Sequence, residues 1–481
     1  MAKKLRALAT KPKLSELNPG TYDEWGALLE GLPASSGVLY VQMLDPLFLA
    51  PVFNSASLSA SKAAAILSDP AVPSSKAVSI LINPAMSASK IAAILGDPSF
   101  PVSTAVAVLS DSAISISKGV DILCDPALPA PKIGDIIKDP SFPADRAQSM
   151  LYGVVDRGLF DKILEMMTYD ASDLSVTANT TLTTGVNRYK TLSVASGVTL
   201  TLGASPGAII ADTISNSGTI ASGWIKGAGG APGADGGGAG GGGAGGIIVL
   251  ARNLTFGTVS SNGQAGGSGS TTNLAGHGGA GGGGLFWIRS GDALPSGGDG
   301  GGDSLYRGRG SVNAGGGGGG YNYSYYGGAG GAATTTTFAD GLSMLKELFK
   351  AVVDWWLANV AGKTPTTTKE VPALGGSGGG GGFAANAAGA AGGGGGGGGE
   401  IIAYGTSVVA GTANALGGNG GNGGTEGTDD NGGGGGGGGI IYVFYKSLSG
   451  TFTFNASGGA GGTGDYSGYA GGAGFGVAIA V

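Results

Sequence analysis

Residues that could carry acid–base, nucleophilic or metal chemistry are few in this chain and poorly spaced. His277 is the only histidine, and it stands between two glycines with no Cys, Asp or Glu close by. Neither a metal site nor a histidine-dependent triad is therefore expected. The acidic pairs Asp299/Asp303 and Asp429/Asp430 lie in glycine tracts, whereas a glycosidase dyad needs a rigid cleft. These residues predict a protein that is not an enzyme.

Phosphate-binding signatures are also weak. GxGxxG strings are frequent, but in runs of glycine they arise by chance. Gly362-Lys363-Thr364 resembles the end of a phosphate loop, yet Leu357 occupies the first glycine position and a helical pattern precedes it. The net charge is −6 and Lys and Arg are scattered, which does not favour a nucleic-acid partner. We expect no cofactor, no metal and no nucleic acid. Cys124 is the single cysteine, so no intrachain disulfide can form.

The first third of the chain repeats with a period of fourteen residues, from about residue 58 to 151. Each unit has Asp or Asn, usually followed by Pro, then a basic position and an apolar pair such as Ile94-Leu95. The spacing predicts one short helix per unit, begun by Pro or Ser and ended at Asp-Pro. Such short helices are unstable alone, so they must stack. The lysine column is expected to face solvent, as a binding stripe or as a solvated face.

Glycine dominates the rest, with 104 residues in the whole chain. Residues 170–225 alternate apolar residues with Thr and Ser, which predicts short β-strands coiled as a small β-solenoid. Beyond them, glycine tracts with an internal period of three alternate with apolar runs. Two glycines in three suits a layered bundle of polyglycine II helices. The apolar runs recur about every 38 residues, with one interruption, and are Ile247–Ala251, Leu285–Ile288, Ile401–Tyr404, Ile440–Tyr445 and Val477–Val481.

The fold class is thus multi-domain, α then β. We expect a docking segment at 1–57, a helical repeat domain at 58–169, a small β domain at 170–225 and a glycine-rich module at 226–481. The insertion in that module spans about 303–399. Its aromatic and basic side chains form either a receptor- or glycan-binding patch or an aromatic cap, since Tyr and Arg dominate recognition surfaces. They are Tyr306, Arg307, Arg309, Tyr321, Tyr323, Tyr325 and Tyr326.

An amphipathic helix is predicted within the insertion, from Phe338 to Val360. It packs either on the glycine-rich module or on a symmetry mate, or it contacts a membrane or partner through Trp355 and Trp356. The N-terminus has no secretion signal pattern, because Lys11, Pro12 and Lys13 precede any apolar run. Glycosylation sequons begin at Asn179, Asn253, Asn322 and Asn455.

Glycine tracts such as Gly417–Gly424, alternating with short apolar strands, resemble the adhesins at the tips of long tail fibres of T-even-like phages. The run Thr199–Ile210 with its following tracts is similar to glycine-rich tail proteins of archaeal viruses. The resemblance covers about residues 174–481 and implies polyglycine II sandwiches whose loops select a host receptor. The fourteen-residue repeats and the long insertion depart from that pattern.

Three functions remain open from the sequence. The first is a virion tail-fibre or spike protein that binds a host receptor or glycan, assembles with other tail proteins and forms a homo-oligomer. The second is a cellular surface adhesin or extracellular filament subunit, which should carry a secretion signal. The third is an ice-binding polyglycine II protein, which would need flat faces of regular Thr or Ala.

Overall fold

The computed structural model describes residues 20–203, 207–223, 225–226, 240–268, 341–369, 392–424 and 431–481. The chain divides into two compact units. Met1–Met166 and Phe349–Glu370 form the helical unit, and Met167–Leu348 and Val371–Val481 form the β unit. The predicted order, α then β, is confirmed.

Twelve helices lie in the described part of the chain, eleven of them before residue 169. They are α1 (Tyr22–Gly31), α2 (Ala34–Met43), α3 (Pro46–Asn54), α4 (Ala60–Leu67), α5 (Ser74–Leu81), α6 (Ala88–Gly96), α7 (Val102–Ser110), α8 (Ile116–Cys124), α9 (Ala130–Lys138), α10 (Ala144–Asp156), α11 (Phe160–Thr168) and α12 (Gly341–Asn359).

The repeat chemistry sets where these helices begin and end. Ser87 caps α6 by accepting a hydrogen bond from the Lys90 backbone N–H at 3.2 Å. Asp97 ends α6, and its carboxylate accepts the N–H of Ser99 at 2.9 Å. That contact closes an Asx turn, which lets the chain reverse direction before the next helix. Prolines replace the serine cap at the start of α5, α7, α9 and α10.

Stacking follows alternate helices. From α1 to α10, each helix packs against the second helix along the chain, so odd-numbered and even-numbered helices form two rows. The apolar pair Ile94-Leu95 is fully buried, as are the turn residues Phe100 and Phe142. The helices α1–α3 continue both rows, so residues 20–57 belong to the same unit as the repeats rather than to a separate segment.

The lysine column does not face solvent as an open stripe. Lys132 Nζ donates to Phe100 O at 2.6 Å, and Lys90 Nζ donates to Ser55 O at 3.0 Å. Each ammonium group reaches back more than thirty residues, to the turn that ends an earlier helix, where exposed carbonyls favour a cation. Burial lowers the pKa of Lys90, Lys132 and Lys162. The prediction of a solvent-facing column was wrong because the repeat does not show that each lysine side chain extends to the turn of an earlier helix.

Fifteen strands lie in the described part of the β unit. They are β1 (Leu174–Val176), β2 (Thr180–Leu182), β3 (Val186–Val194), β4 (Thr199–Leu202), β5 (Gly207–Asn216), β6 (Thr219–Ser222), β7 (Ile225–Lys226), β8 (Gly243–Ala244), β9 (Ile247–Thr255), β10 (Thr258–Ser260), β11 (Glu400–Val409), β12 (Thr412–Asn414), β13 (Ile440–Ser449), β14 (Thr453–Asn455) and β15 (Phe475–Ala480).

Two parallel sheets share these strands. The long-strand sheet has the order β1-β3-β5-β9-β11-β13-β15, and the short-strand sheet has the order β14-β12-β10-β6-β4-β2. Successive strands alternate between the two sheets, and one apolar core, containing Val249, Ile401, Leu200 and Val259, lies between them. Strands β7 and β8 form a separate antiparallel pair.

This topology corrects two predictions. The long-strand sheet runs without a break across residue 225, so the small β domain and the glycine-rich module are parts of one unit. Strand β9 pairs directly with β11, from Ile247↔Ile401 onward. Paired residues of β9 and β11 are thus 154 positions apart rather than about 38, and the run Leu285–Ile288 lies outside the described residues.

Candidate binding surfaces

Seven glycine-rich tracts lie beside the strands of the two sheets in the described part of the β unit. Tracts 1 (240–246), 3 (392–399), 5 (431–439) and 7 (466–474) lead into long strands, and tracts 2 (261–268), 4 (415–424) and 6 (456–463) follow short strands. Their backbone groups bond from tract to tract with a spacing of three residues. Gly392, Gly395 and Gly398 donate to residues 431, 434 and 437 in tract 5, while Gly393, Gly396 and Gly399 donate to residues 267, 264 and 261 in tract 2.

The bonding pattern arranges the tracts in two layers. Odd tracts run parallel to one another, even tracts do the same, and the two sets are antiparallel to each other. The packing leaves no room for side chains at the contacts. A Cβ built on Gly395 would lie 1.9 Å from Gly418 O, and one on Gly436 would lie 2.1 Å from Gly396 O. Glycine is required at these positions because neighbouring backbones touch.

The short-strand sheet presents a column of threonines on the side opposite its core. In register, Thr199 pairs with Thr219, Thr219 with Thr258, Thr258 with Thr412, and Thr412 with Thr453. None of the five is buried, whereas the alternate residues Leu200, Ile220 and Val259 point into the core. The hydroxyl groups therefore repeat at about the 4.8 Å spacing of adjacent strands.

A second column and the even tracts extend this surface. Ser260 is in register with Asn414, and Asn414 with Asn455, whose amide nitrogen donates to the Asn414 amide oxygen at 2.7 Å. In tract 4 the Asn419 side chain accepts the Ala460 N–H at 2.9 Å, and Asn422 accepts the Thr463 N–H at 2.9 Å. Asparagine at every third position thus satisfies the N–H groups of the next tract.

We call this surface the polar face, and it has no charge. The residues that form it are 199–203, 219–223, 258–268, 412–424 and 453–463, and none is Asp, Glu, Lys or Arg. An ordinary protein surface carries about a quarter to a third charged residues. A regular array of hydroxyl and amide groups can exchange hydrogen bonds with a neutral, regularly repeating ligand. It offers no ionisable group for proton transfer.

Only some of the predicted site residues lie among the residues that the structure describes. All seven receptor-binding candidates, with His277, Asn322 and the four acidic residues Asp299, Asp303, Asp429 and Asp430, lie outside the described residues. Asn179, Asn253 and Asn455 are exposed, as sequons require. Both Asn179 and Asn455 also bond to a neighbouring strand. The Asn179 side chain accepts the Thr199 N–H at 2.9 Å, and the Asn455 side chain donates to that of Asn414.

The tryptophans predicted to contact a membrane or partner lie on α12, and their environment differs from that prediction. Residues 349–359 of α12 belong to the helical unit rather than to the glycine-rich module. Trp356 is fully buried there with Lys138 Nζ 5.8 Å from its ring, while Trp355 is half-buried. Trp356 is therefore unavailable to a lipid surface.

A buried polar cluster holds α12 and the segment after it against α10. Asp354 is 1 % exposed and accepts hydrogen bonds from Gln148 Nε2 at 2.7 Å, Tyr152 Oη at 2.6 Å and the Lys369 N–H at 2.8 Å. Burial, and then the Asp354 carboxylate, raise the pKa of Tyr152. Lys363 Nζ donates to Asp139 O at 2.6 Å and Phe142 O at 2.7 Å. Lys363 thus makes the turn contact that the repeat lysines make elsewhere.

Sequence reasoning missed the polar face and the returning segment. The alternation of Thr with apolar residues was visible as strand chemistry, but the columns appear only once the register is known. Among the described residues, no helix is long and apolar enough to cross a membrane, and no cluster of three His, Cys, Asp or Glu side chains could hold a metal ion.

Comparisons with known proteins give no match for this chain. No family model matches it, and neither the curated proteins nor the solved structures give a significant match.

Proposed function

We propose that this chain is a structural and adhesive protein of a virion, a tail-fibre or spike component whose glycine-rich module attaches to the host cell. The observation that carries the proposal is the polar face, an extended, uncharged array of hydroxyl and amide groups on a rigid backbone. Such a surface suits adhesion to neutral, repetitive material such as a cell-surface glycan. Its expected partners are a host receptor or glycan, other tail or adaptor proteins, and further copies of the same chain.

The finer architecture belongs to the same proposal. We infer a helical solenoid in the first unit, built from two rows of short helices. In the second unit we infer a β-solenoid whose coils continue as polyglycine II tracts. Hydrogen bonds at every third residue support this inference, because a three-fold extended helix directs equivalent groups to the same neighbour once per turn. A stiff scaffold of this kind would hold binding groups away from a particle surface.

Two observations would separate this role from a cellular surface adhesin or filament subunit. Electron microscopy of purified particles, with a label directed against this chain, should place the label on the tail or spike. Label on cell-surface filaments, with none on particles, would reject the virion role.

Attachment can be assigned to surfaces with two variants. Thr258→Glu combined with Thr412→Glu places charge in the middle of the polar face, with Ser407→Glu on the long-strand sheet as control. If the polar face binds cells, the double variant weakens attachment at least tenfold while the control does not. Changing Tyr323, Tyr325 and Tyr326 together to Ala tests the insertion in the same assay. Wild-type attachment by both variants would remove the adhesive proposal.

Ice binding is the second candidate, because the five-threonine column supplies the regular Thr spacing that such a function needs. Thermal hysteresis measured on the purified chain would support it if Thr258→Glu with Thr412→Glu abolished the effect. Freezing behaviour equal to that of a control protein would exclude it.

A further inference from the structure

The first three helices expose large apolar side chains. Leu47 is 73 % exposed, Met43 66 %, Leu39 56 % and Tyr22 49 %. Leu39 and Met43 lie one turn apart on the same side of α2. Leu47 follows four residues after Met43 in α3, and the Tyr22 ring lies 5.8 Å from that of Phe48, the residue next to Leu47. We call Tyr22, Leu39, Met43 and Leu47 the first-turn patch.

Later repeats show that the fold itself does not require these apolar residues. The buried positions of α3 and of α2 align with those of α4. In that alignment, Leu47 stands in the column occupied by Ser61, Ser75 and Ser89. Leu39 stands in the column occupied by Ala65, Ser79 and Ala93. In these two columns the outward residue is small or polar in the following three repeats and large and apolar in α2 and α3, which indicates a surface that something covers.

Charge identifies what covers it. Residues 20–61 contain four acidic residues and no Lys or Arg, giving a side-chain charge of −4: Asp23, Glu24, Glu30 and Asp45. Lys62 and Lys76 from the next two helices reach the Leu32 and Gln42 carbonyls and leave this surface with a charge of −2. Residues 1–19 contain five basic residues and one acidic residue, giving +4 from their side chains: Lys3, Lys4, Arg6, Lys11, Lys13 and Glu16. The same nineteen residues carry the apolar side chains Leu5, Leu8, Leu14 and Leu17.

We propose that residues 1–19 dock on the first-turn patch of their own chain. The segment ends at Pro19, directly before Gly20, whose N–H bonds to the Glu24 carboxylate, and only three residues before Tyr22. A tether this short keeps the segment near the patch at an effective concentration of about millimolar, so a weak contact suffices. Leucines of the segment cover the patch, and its lysines lie against the acidic surface of α1. The proposal does not depend on the adhesive role.

The test uses the full chain and an apolar dye, bis-ANS, with hydrogen exchange read at α1–α3. Reversing the five basic residues of residues 1–19 to Glu should release the segment, raise dye fluorescence several-fold and speed exchange in α1–α3. Adding Leu39→Asp and Leu47→Asp to that variant should return the fluorescence to the wild-type level. The matched control, Ala65→Asp with Ser75→Asp, places the same charges in the same columns further along and should change neither reading. Circular dichroism verifies that each variant is folded.

Two results would overturn the proposal. If the wild-type chain binds dye as strongly as the charge-reversed chain, and Leu39→Asp with Leu47→Asp removes that binding, the patch is bare and residues 1–19 do not cover it. If light scattering shows a dimer that Leu39→Asp with Leu47→Asp dissociates while charge reversal leaves it intact, a second copy covers the patch instead.

Discussion

Replacing Gly395 by Ala tests whether the glycine tracts form a packed body. The new Cβ would lie 1.9 Å from Gly418 O, and Cβ contacts under 3.0 Å essentially never occur in proteins. Tracts 3 and 4 would have to separate by about 1.1 Å, the difference between those distances. The bonds Gly418 N–H to Gly396 O and Gly421 N–H to Gly393 O, both 2.7 Å, would stretch to about 3.8 Å and be lost.

The expected cost follows from these contacts. Two lost hydrogen bonds cost about 2 kcal/mol together, and the forced displacement adds about 1–3 kcal/mol. The reduced freedom of the unfolded chain offsets about 0.4–1 kcal/mol. We therefore expect a net destabilisation of about 2–5 kcal/mol, or a fall in melting temperature of roughly 4–20 °C for a unit of this size.

Differential scanning calorimetry and limited proteolysis measure this effect on the β unit. Ala460→Val is the matched control. Ala460 is exposed, whereas a Cβ added to its neighbour Gly459 would lie 2.0 Å from Gly418 O. The control should stay within about 0.5 kcal/mol of the wild type. If Gly395→Ala keeps the wild-type melting temperature and protease resistance, the tracts behave as linkers and the layered packing is refuted.

Three further predictions concern the helical unit. Leu95→Asp places an unpaired charge at a fully buried position, which lowers the free energy of unfolding by several kcal/mol. The helical circular dichroism signal of residues 20–168 should therefore be lost. Full helicity of the variant would contradict the stacked rows. Lys132→Met leaves the Phe100 carbonyl without its donor and should lower the free energy of unfolding by about 1–3 kcal/mol. Urea titration measures this change. An unchanged free energy of unfolding would show that the Lys132 ammonium group is simply solvated. Asp354→Ala removes the acceptor that Gln148 and two other donors share. Proteolysis should then cut residues 360–369 faster than in the wild type, while α4–α8 keep their hydrogen-exchange protection. Equal cutting rates would show that the cluster does not hold this segment.

The features predictable from sequence were those set within a few residues. Ser87 caps a helix through an N–H three positions later, and Asp97 closes a turn through an N–H two positions later. Both contacts recur in every repeat that carries the residue type, so the period reveals them. The order of short helices followed by strands could be predicted from such local patterns.

Contacts between distant residues could not be predicted. Lys132 reaches a turn thirty-two residues earlier, and Lys363 makes the equivalent contact across more than two hundred residues. A lysine at a regular position looks the same whether it points to water or to a carbonyl. The packing of residues 349–359 of α12 in the helical unit could not be predicted for the same reason. An amphipathic pattern predicts that a helix packs, but it does not identify the surface on which it packs.

The polar face could be located only from the pairing register of the strands, because its residues do not recur at a fixed interval in the sequence. The threonine column joins residues that are 20, 39, 154 and 41 positions apart: Thr199, Thr219, Thr258, Thr412 and Thr453. The long interval falls between tract 2 and tract 3, in residues 269–391, which connect an even tract to an odd one. The equivalent connections between tracts 4 and 5 and between tracts 6 and 7 are residues 425–430 and 464–465.

These connections vary greatly in length while the paired strands keep their register. Antiparallel bonding between even and odd tracts brings the ends of tracts 2, 4 and 6 to the same side as the beginnings of tracts 3, 5 and 7. The fold therefore accepts new sequence at that end without disturbing either sheet, since loops outside a rigid scaffold tolerate insertion. Under the adhesive proposal, recognition can change through these connections while the polar face and the glycine packing remain constant. Replacing residues 425–430 by a longer Gly-Ser loop should then leave the melting temperature of the β unit within about 2 °C. A loss of folding would show that the connection is part of the packed body.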